Sequence, residues 1–162
     1  MRKLDSEGLL LAEYQGKLFE RSYDLSYSTP IFMRRFKYSE LVKLLDENTT
    51  AFVSLNVKEG IDSINEQFGE SSYGKIKYSR AALFWIGYMY RYIAFTRDCS
   101  TRFVMNLFSY ELLNNVYFAF STQDPEWCIR SLLDIVNLDE RWFDKNYRLK
   151  ETLRKHNYYG DI

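Results

Sequence analysis

The reactive side chains of this sequence are few and far apart. His156 is the only histidine and lies near the end of the sequence, so a nucleophile–histidine pair would have to draw on the tail. Cys99 and Cys128 with that histidine do not reproduce the ligand spacing of a zinc cage, and no metal or cofactor is expected. The two cysteines read as free buried thiols of a reducing compartment. Glu66 and Glu70 stand at the spacing of one helical face, as solvated acids do, and nothing marks them as a tuned acid–base pair. Gly69-Glu70-Ser71-Ser72-Tyr73-Gly74 lacks the lysine and hydroxyl residue of a phosphate-binding loop. The inventory points away from an enzyme and toward binding.

Two clusters interleave cations with rings: Phe32-Met33-Arg34-Arg35-Phe36-Lys37-Tyr38 and Lys75-Ile76-Lys77-Tyr78-Ser79-Arg80. Such a composition suits cations laid over a packed aromatic layer, anchors of a protein interface, or stacking and phosphate contact with nucleic acid. The 22 basic residues balance 22 acidic ones, so there is no global field to hold nucleic acid or an anionic membrane.

The stretch from Tyr73 to Phe95 is the densest in aromatic residues. On a helical wheel, Leu83, Phe84, Trp85, Ile86, Tyr88, Met89, Tyr90, Tyr92, Ile93 and Phe95 cover most of the circumference, leaving a narrow stripe of Arg80, Gly87, Arg91, Ala94 and Asp98. Each large apolar side chain gains roughly 1.5–3 kcal/mol on burial, so this helix must be covered, by the core or by a partner. Arg91 on the stripe supports either the structure or binding. The candidate partner-binding residues are Arg34, Arg35, Phe36, Tyr38, Lys75, Tyr78, Trp85, Tyr88, Arg91 and Tyr92.

At 162 residues, with 46% hydrophobic and 27% charged residues, the chain has material for a sizeable core. Seven glycines and two prolines leave little for hairpins, and Ser28-Thr29-Pro30 and Gln123-Asp124-Pro125 each set a capping side chain just before a proline at a helix start. The spacing predicts a first helix over Ser6–Tyr23 with Leu10, Tyr14, Leu18 and Arg21 at core positions. A short helix follows from Pro30 to Phe36, and Ser39 caps another to Leu45. A helix over Val57–Phe68, with Ile61, Ile64 and Phe68 on its stripe, is stopped by Gly69. The aromatic helix begins at Ser79. Further segments begin at Ser100, Ser109 and Asp124, and a last one runs from Asp139 to His156. Thr50 to Val57 is the sole strand candidate. The expected fold is all-α, a compact single-domain helical bundle around a central aromatic-rich helix. Residues 1–136 would form its core and residues 137–162 an amphipathic extension, docked on that core, with Trp142, Leu149 and Leu153 on its apolar face.

The longest uncharged run, Ala81 to Tyr90, is about half of the ~20 residues a membrane-spanning helix needs. Acids precede Leu9-Leu10-Leu11, a run too short for a signal-peptide core. A cytoplasmic location is expected, with no membrane partner.

Four blocks resemble a known family: Pro30-Ile31-Phe32-Met33-Arg34-Arg35-Phe36; Gln67-Phe68-Gly69-Glu70-Ser71-Ser72-Tyr73-Gly74-Lys75-Ile76-Lys77-Tyr78-Ser79; Trp85-Ile86-Gly87-Tyr88-Met89-Tyr90-Arg91-Tyr92; and Asp124-Pro125 with Ile129. In order and content they are similar to a family of small uncharacterised bacterial proteins, typically encoded beside an ADP-ribosyltransferase-like toxin protein. The resemblance covers roughly Leu9 to Leu133, weakens between Arg97 and Gln123, and leaves Asn137 to Ile162 as an extension. It implies a toxin–antitoxin-like operon and an antitoxin or accessory role, with the co-encoded toxin as partner and no catalytic residues to carry over. It fixes no oligomeric state.

Two functions of different class follow. One is a protein-binding module that neutralises the co-encoded toxin. The other is a helix-turn-helix-like regulator that binds operator DNA through a short helix near Ser100 or Ser109. Ser100 to Tyr117 holds Arg102 as its only base, which favours the protein partner.

Overall fold

The computed structural model describes residues 1–48 and 56–160, and the chain is all-α. No strand occurs among the described residues; the strand candidate at Thr50–Val57 lies outside them, except for Asn56 and Val57, which cap and open a helix. Two compact units divide the chain, Met1–Thr122 and Gln123–Ile162, the division falling just before the Asp124-Pro125 helix start.

The first unit holds α1 (Ser6–Arg21), α2 (Thr29–Lys37), α3 (Glu40–Asp46), α4 (Val57–Phe68), α5 (Arg80–Thr96), α6 (Thr101–Leu107) and α7 (Tyr110–Phe120). Each begins where a short polar side chain can take a free backbone N–H of the first turn. Asp5, Ser28, Ser39, Asn56, Ser79, Ser100 and Ser109 all accept such a bond. Gly69, at φ 83°, ends α4 as expected.

The aromatic helix α5 is central, lying along α1 and also against α6 and α7. Its small-residue stripe is what brings α1 close: a Cβ on Gly87 would stand 2.6 Å from the Gln15 carbonyl oxygen and 2.7 Å from the Phe19 ring. Gln15 Nε2 donates to the Gly87 carbonyl at 2.9 Å across the same contact. This approach rotates α1 from the expected face. Leu11, Ala12, Gln15, Leu18 and Phe19 are fully buried and Tyr14 nearly so, while Leu10 and Arg21 face solvent. Phe19 then meets Phe32 and Phe36 of α2 edge-on, with ring centroids 5.2 and 4.7 Å away, and Tyr90 of α5 at 6.3 Å. The Tyr90 hydroxyl donates to the Phe108 carbonyl at 2.7 Å.

In the second unit, Asp124 caps α8 (Pro125–Ile135), a 3-10 turn spans Glu140–Phe143, and α9 runs over Lys145–Gly160. The single segment expected from Asp139 is broken at Asp144, whose carboxylate takes the N–H of Asn146 at 2.7 Å and starts α9 afresh. Trp142 therefore belongs to the turn, where its ring meets Tyr147 edge-on at 5.9 Å, and Leu149 and Leu153 on α9 remain more than half exposed. Among the described residues no helix is long and apolar enough to cross a membrane.

Candidate protein-binding groove

Helix α2 buries Phe32, Met33 and Phe36 and turns Arg34 outward. Its N-terminal end is laced to the irregular segment 69–79. Ser28 N donates to the Tyr73 carbonyl at 3.0 Å, Thr29 N to the Ile76 carbonyl at 2.8 Å, and Tyr78 N to the Thr29 hydroxyl at 3.1 Å. Lys77 clamps the segment between α1 and α2, its ammonium donating to the carbonyls of Ser22 (3.1 Å), Leu25 (2.7 Å) and Tyr27 (2.5 Å). Burial pushes the Lys77 pKa down and Asp24 partly restores it. Gly74 turns at φ 81°, with Ser28 so close that a Cβ would sit 2.6 Å from its hydroxyl oxygen.

Between α2, this laced segment and the ends of α4, α6 and α7 lies a groove of about 1070 Å³. Pro30, Ile31, Met33, Phe68, Met105 and Tyr110 line it with apolar surface, and Arg34, Arg35, Lys37, Tyr38 and Tyr73 add cations and rings. Arg35 is set by its surroundings: Nη1 donates to the Gly69 carbonyl at 2.6 Å, and the guanidinium carbon lies 4.5 Å from the Tyr27 ring centre and 5.7 Å from that of Phe68. Tyr27 donates in turn to Asn65 Oδ1 at 2.7 Å. Arg102 lies over Tyr38 at 4.7 Å, and Lys37 donates to Asn106 Oδ1. Tyr110 tilts against Tyr78 at 6.1 Å, and burial together with its bond to Glu111 pushes the Tyr110 hydroxyl up to about 12.

The candidate residues fall into three places. Arg34, Arg35 and Tyr38 line the groove, Phe36 lies fully buried beneath it, Tyr78 touches its wall at Tyr110, and Lys75 is exposed on the laced segment without lining it. Trp85, Tyr88 and Tyr92 are elsewhere. Trp85 meets Tyr117 at 6.0 Å in a smaller cleft with Glu20, Arg80 and Phe84, and Phe84, Tyr88 and Tyr92 stack in sequence along α5 at 6.3 Å each. Tyr92 is buried.

Arg91 is in the core, fully buried. Its Nε donates to Gln15 Oε1 (3.0 Å), Nη1 to the Leu45 carbonyl (3.1 Å) and Asp46 Oδ1 (2.9 Å), and Nη2 to the Thr101 hydroxyl (2.6 Å). The Thr101 hydroxyl in turn donates to Asp46 Oδ1 at 2.6 Å. Burial lowers the Arg91 pKa and Asp46 opposes the shift. The guanidinium ties α1, α3, α5 and α6 together and offers no surface to a partner, and with Phe36 and Tyr92 it leaves the set of accessible contact residues.

Phe68, expected in the core stripe of α4, is 38% exposed and instead forms groove wall. Glu70 lies past the Gly69 cap, so it does not share a helical face with Glu66. His156 is exposed on α9, and no disulfide joins Cys99 and Cys128, with burial pushing the Cys128 thiol up to about 11. The groove's Met105 and Tyr110 had no sequence signal, because only the fold brings α6 and α7 to α2. Comparison with protein-family models, with curated proteins and with solved structures gives no match to this chain.

Proposed function

We propose that this chain is a non-enzymatic, cytoplasmic protein-binding component, an antitoxin or accessory protein that binds and neutralises a co-encoded ADP-ribosyltransferase-like toxin. The resemblance in the Pro30–Phe36 and Trp85–Tyr92 blocks motivates the partner. The observation that carries the reading is the groove, where exposed Arg34, half-exposed Tyr38 and largely exposed Tyr73 surround an apolar floor. Arginine and tyrosine around apolar pockets are the anchors that protein interfaces favour.

The operator-binding alternative finds less support. Helix α7 carries no lysine or arginine, and Arg102 of α6 is laid over Tyr38, so a reading helix here would bring few charges to phosphate.

Co-expressed with the neighbouring toxin, the chain should co-purify with it as a defined complex and relieve growth arrest. Arg34→Ala with Arg35→Ala should weaken the complex more than substitutions at Glu66 and Glu70. Failure of the two proteins to associate, with growth arrest indifferent to this chain, sinks the reading. Tight, salt-sensitive binding to its own promoter without any protein partner favours the regulator.

A further inference from the structure

We infer that the groove takes an acidic peptide segment of its partner, with large apolar side chains seated on the Ile31, Met33, Phe68 and Met105 floor and carboxylates held by Arg34, Arg35 and Lys37. This rests on the protein-binding reading above and names the chemistry that the partner must present.

Charge carries the argument. Acids and bases are equal in number over the chain, yet the described residues that line the groove include three cations and no carboxylate. Several cations elsewhere find acids: Arg80 pairs with Asp24 at 2.5 Å, Arg91 with Asp46 at 2.9 Å and Arg141 with Asp139 at 2.7 Å. At the groove, Arg35 meets a carbonyl and two rings, Lys37 meets an amide, and Arg34 makes no side-chain hydrogen bond or ion pair with a described residue. A guanidinium has five N–H donors, so Arg35 retains capacity beyond its bond to Gly69, and Arg34 retains all of it. Among the described residues that line the groove, three cations thus stand together with no lining carboxylate to pair them.

The floor decides the kind of anion. Ile31 and Phe68 give the lining its accessible apolar side chains, over the nearly buried Met33 and Met105. At about 1070 Å³ the groove matches the upper end of the roughly 300–1,000 Å³ of small-molecule sites, enough for several side chains of one segment. Nucleic acid would set a row of phosphates against cations and would gain little from this floor. An acidic segment with apolar anchors satisfies both parts, burying surface on the floor while its carboxylates take bidentate bonds from the arginines at the edge.

The test titrates the full chain into a short fluorescein-labelled peptide of leucines flanked by glutamates, read by fluorescence anisotropy, beside counterparts with glutamine or lysine in place of glutamate. The glutamate peptide should bind, the glutamine counterpart should bind about tenfold more weakly, and the lysine counterpart should not bind. Arg34→Glu should cost the glutamate peptide a similar factor without moving the urea midpoint, and Arg34→Gln should cost less. Equal binding of the glutamate and glutamine peptides, or no binding of either, overturns the inference, as does a single-stranded oligonucleotide that displaces the glutamate peptide. The toxin protein serves as competitor in the same assay. If it binds the chain and leaves the peptide in place, the groove chemistry falls while the protein-binding reading stands. If the peptide binds and the toxin does not associate at all, the toxin reading falls and the groove chemistry stands.

Discussion

Arg91 and Arg34 both sit among rings in sequence, Tyr90-Arg91-Tyr92 and Met33-Arg34-Arg35-Phe36, and the fold gives them opposite surroundings. Arg91 is fully buried with four partners from three other helices; Arg34 is exposed at the groove, and its side chain bonds to none of the described residues. An arginine enters a core only when its donors and charge are matched there, because desolvating the guanidinium costs several kcal/mol that the partners must offset. An arginine without partners must stay in water, where it remains available. Burial and donor satisfaction, not local composition, separate the structural arginine from the one able to bind.

The largest expected effect is at Arg91. Arg91→Met is of similar size but takes the counter-charge from Asp46 and the donors from Gln15 Oε1 and the Leu45 carbonyl, and should cost about 3–5 kcal/mol in urea denaturation. A loss below about 1 kcal/mol would show that the network contributes little to the fold and would break the contrast with Arg34.

Gly87→Ala should come next. The new methyl would meet the Gln15 carbonyl oxygen at 2.6 Å, and a backbone atom on a packed helix yields less readily than a flexible side chain. Overpacking of this kind costs about 1–3 kcal/mol, measured by thermal or urea unfolding. A neutral result would mean that α1 and α5 can slide apart cheaply.

Tyr14 is a smaller and oppositely signed case. Its hydroxyl is buried and has no hydrogen-bond partner among the described residues. Tyr14→Phe removes that unpaired group and should leave stability unchanged or raise it by up to about 1 kcal/mol. Burial, then the nearby Glu59, pushes the hydroxyl from 10.0 up to about 12 in the folded chain. A pKa raised on folding contributes stability that is whole below the unfolded value and lost as pH rises from about 10 toward 12. The wild type should therefore lose stability over that window faster than Tyr14→Phe, in urea titrations at stepped alkaline pH. Parallel losses in the two proteins would show that Tyr14 does not titrate in the fold.

The smallest stability effect belongs to Arg34→Ala, expected to lie within about 0.5 kcal/mol, as for exposed residues without partners. A clearly larger change in the urea midpoint would mean that Arg34 supports the fold, and would remove it as a free anchor.

What was legible in the sequence was what is decided locally. Ser28, Ser39, Ser79, Ser100, Ser109 and Asp124 each cap a helix by reaching an N–H two or three residues away, so the sequence placed those starts. The small stripe on α5 was legible as a stripe, but not its use, because the Gly87 contact with Gln15 spans distant segments. The same holds for Arg91, whose partners Gln15, Leu45, Asp46 and Thr101 come from three separate helices. Leu10 is exposed where its spacing predicts burial, since one residue of rotation on α1 exchanges it for Leu11, and periodicity alone does not fix that phase. Half of the candidate site was visible in the Arg34-Arg35 and Tyr38 cluster. The rest of its lining was not, since Phe68, Met105 and Tyr110 join it only through the packing of α4, α6 and α7.

The most direct test of the central claim measures toxin binding by isothermal titration for the wild type and Arg34→Ala, after urea unfolding has shown the two equally stable. The account expects the variant to bind at least about tenfold more weakly while its folding is unchanged. Undiminished binding by Arg34→Ala would contradict it.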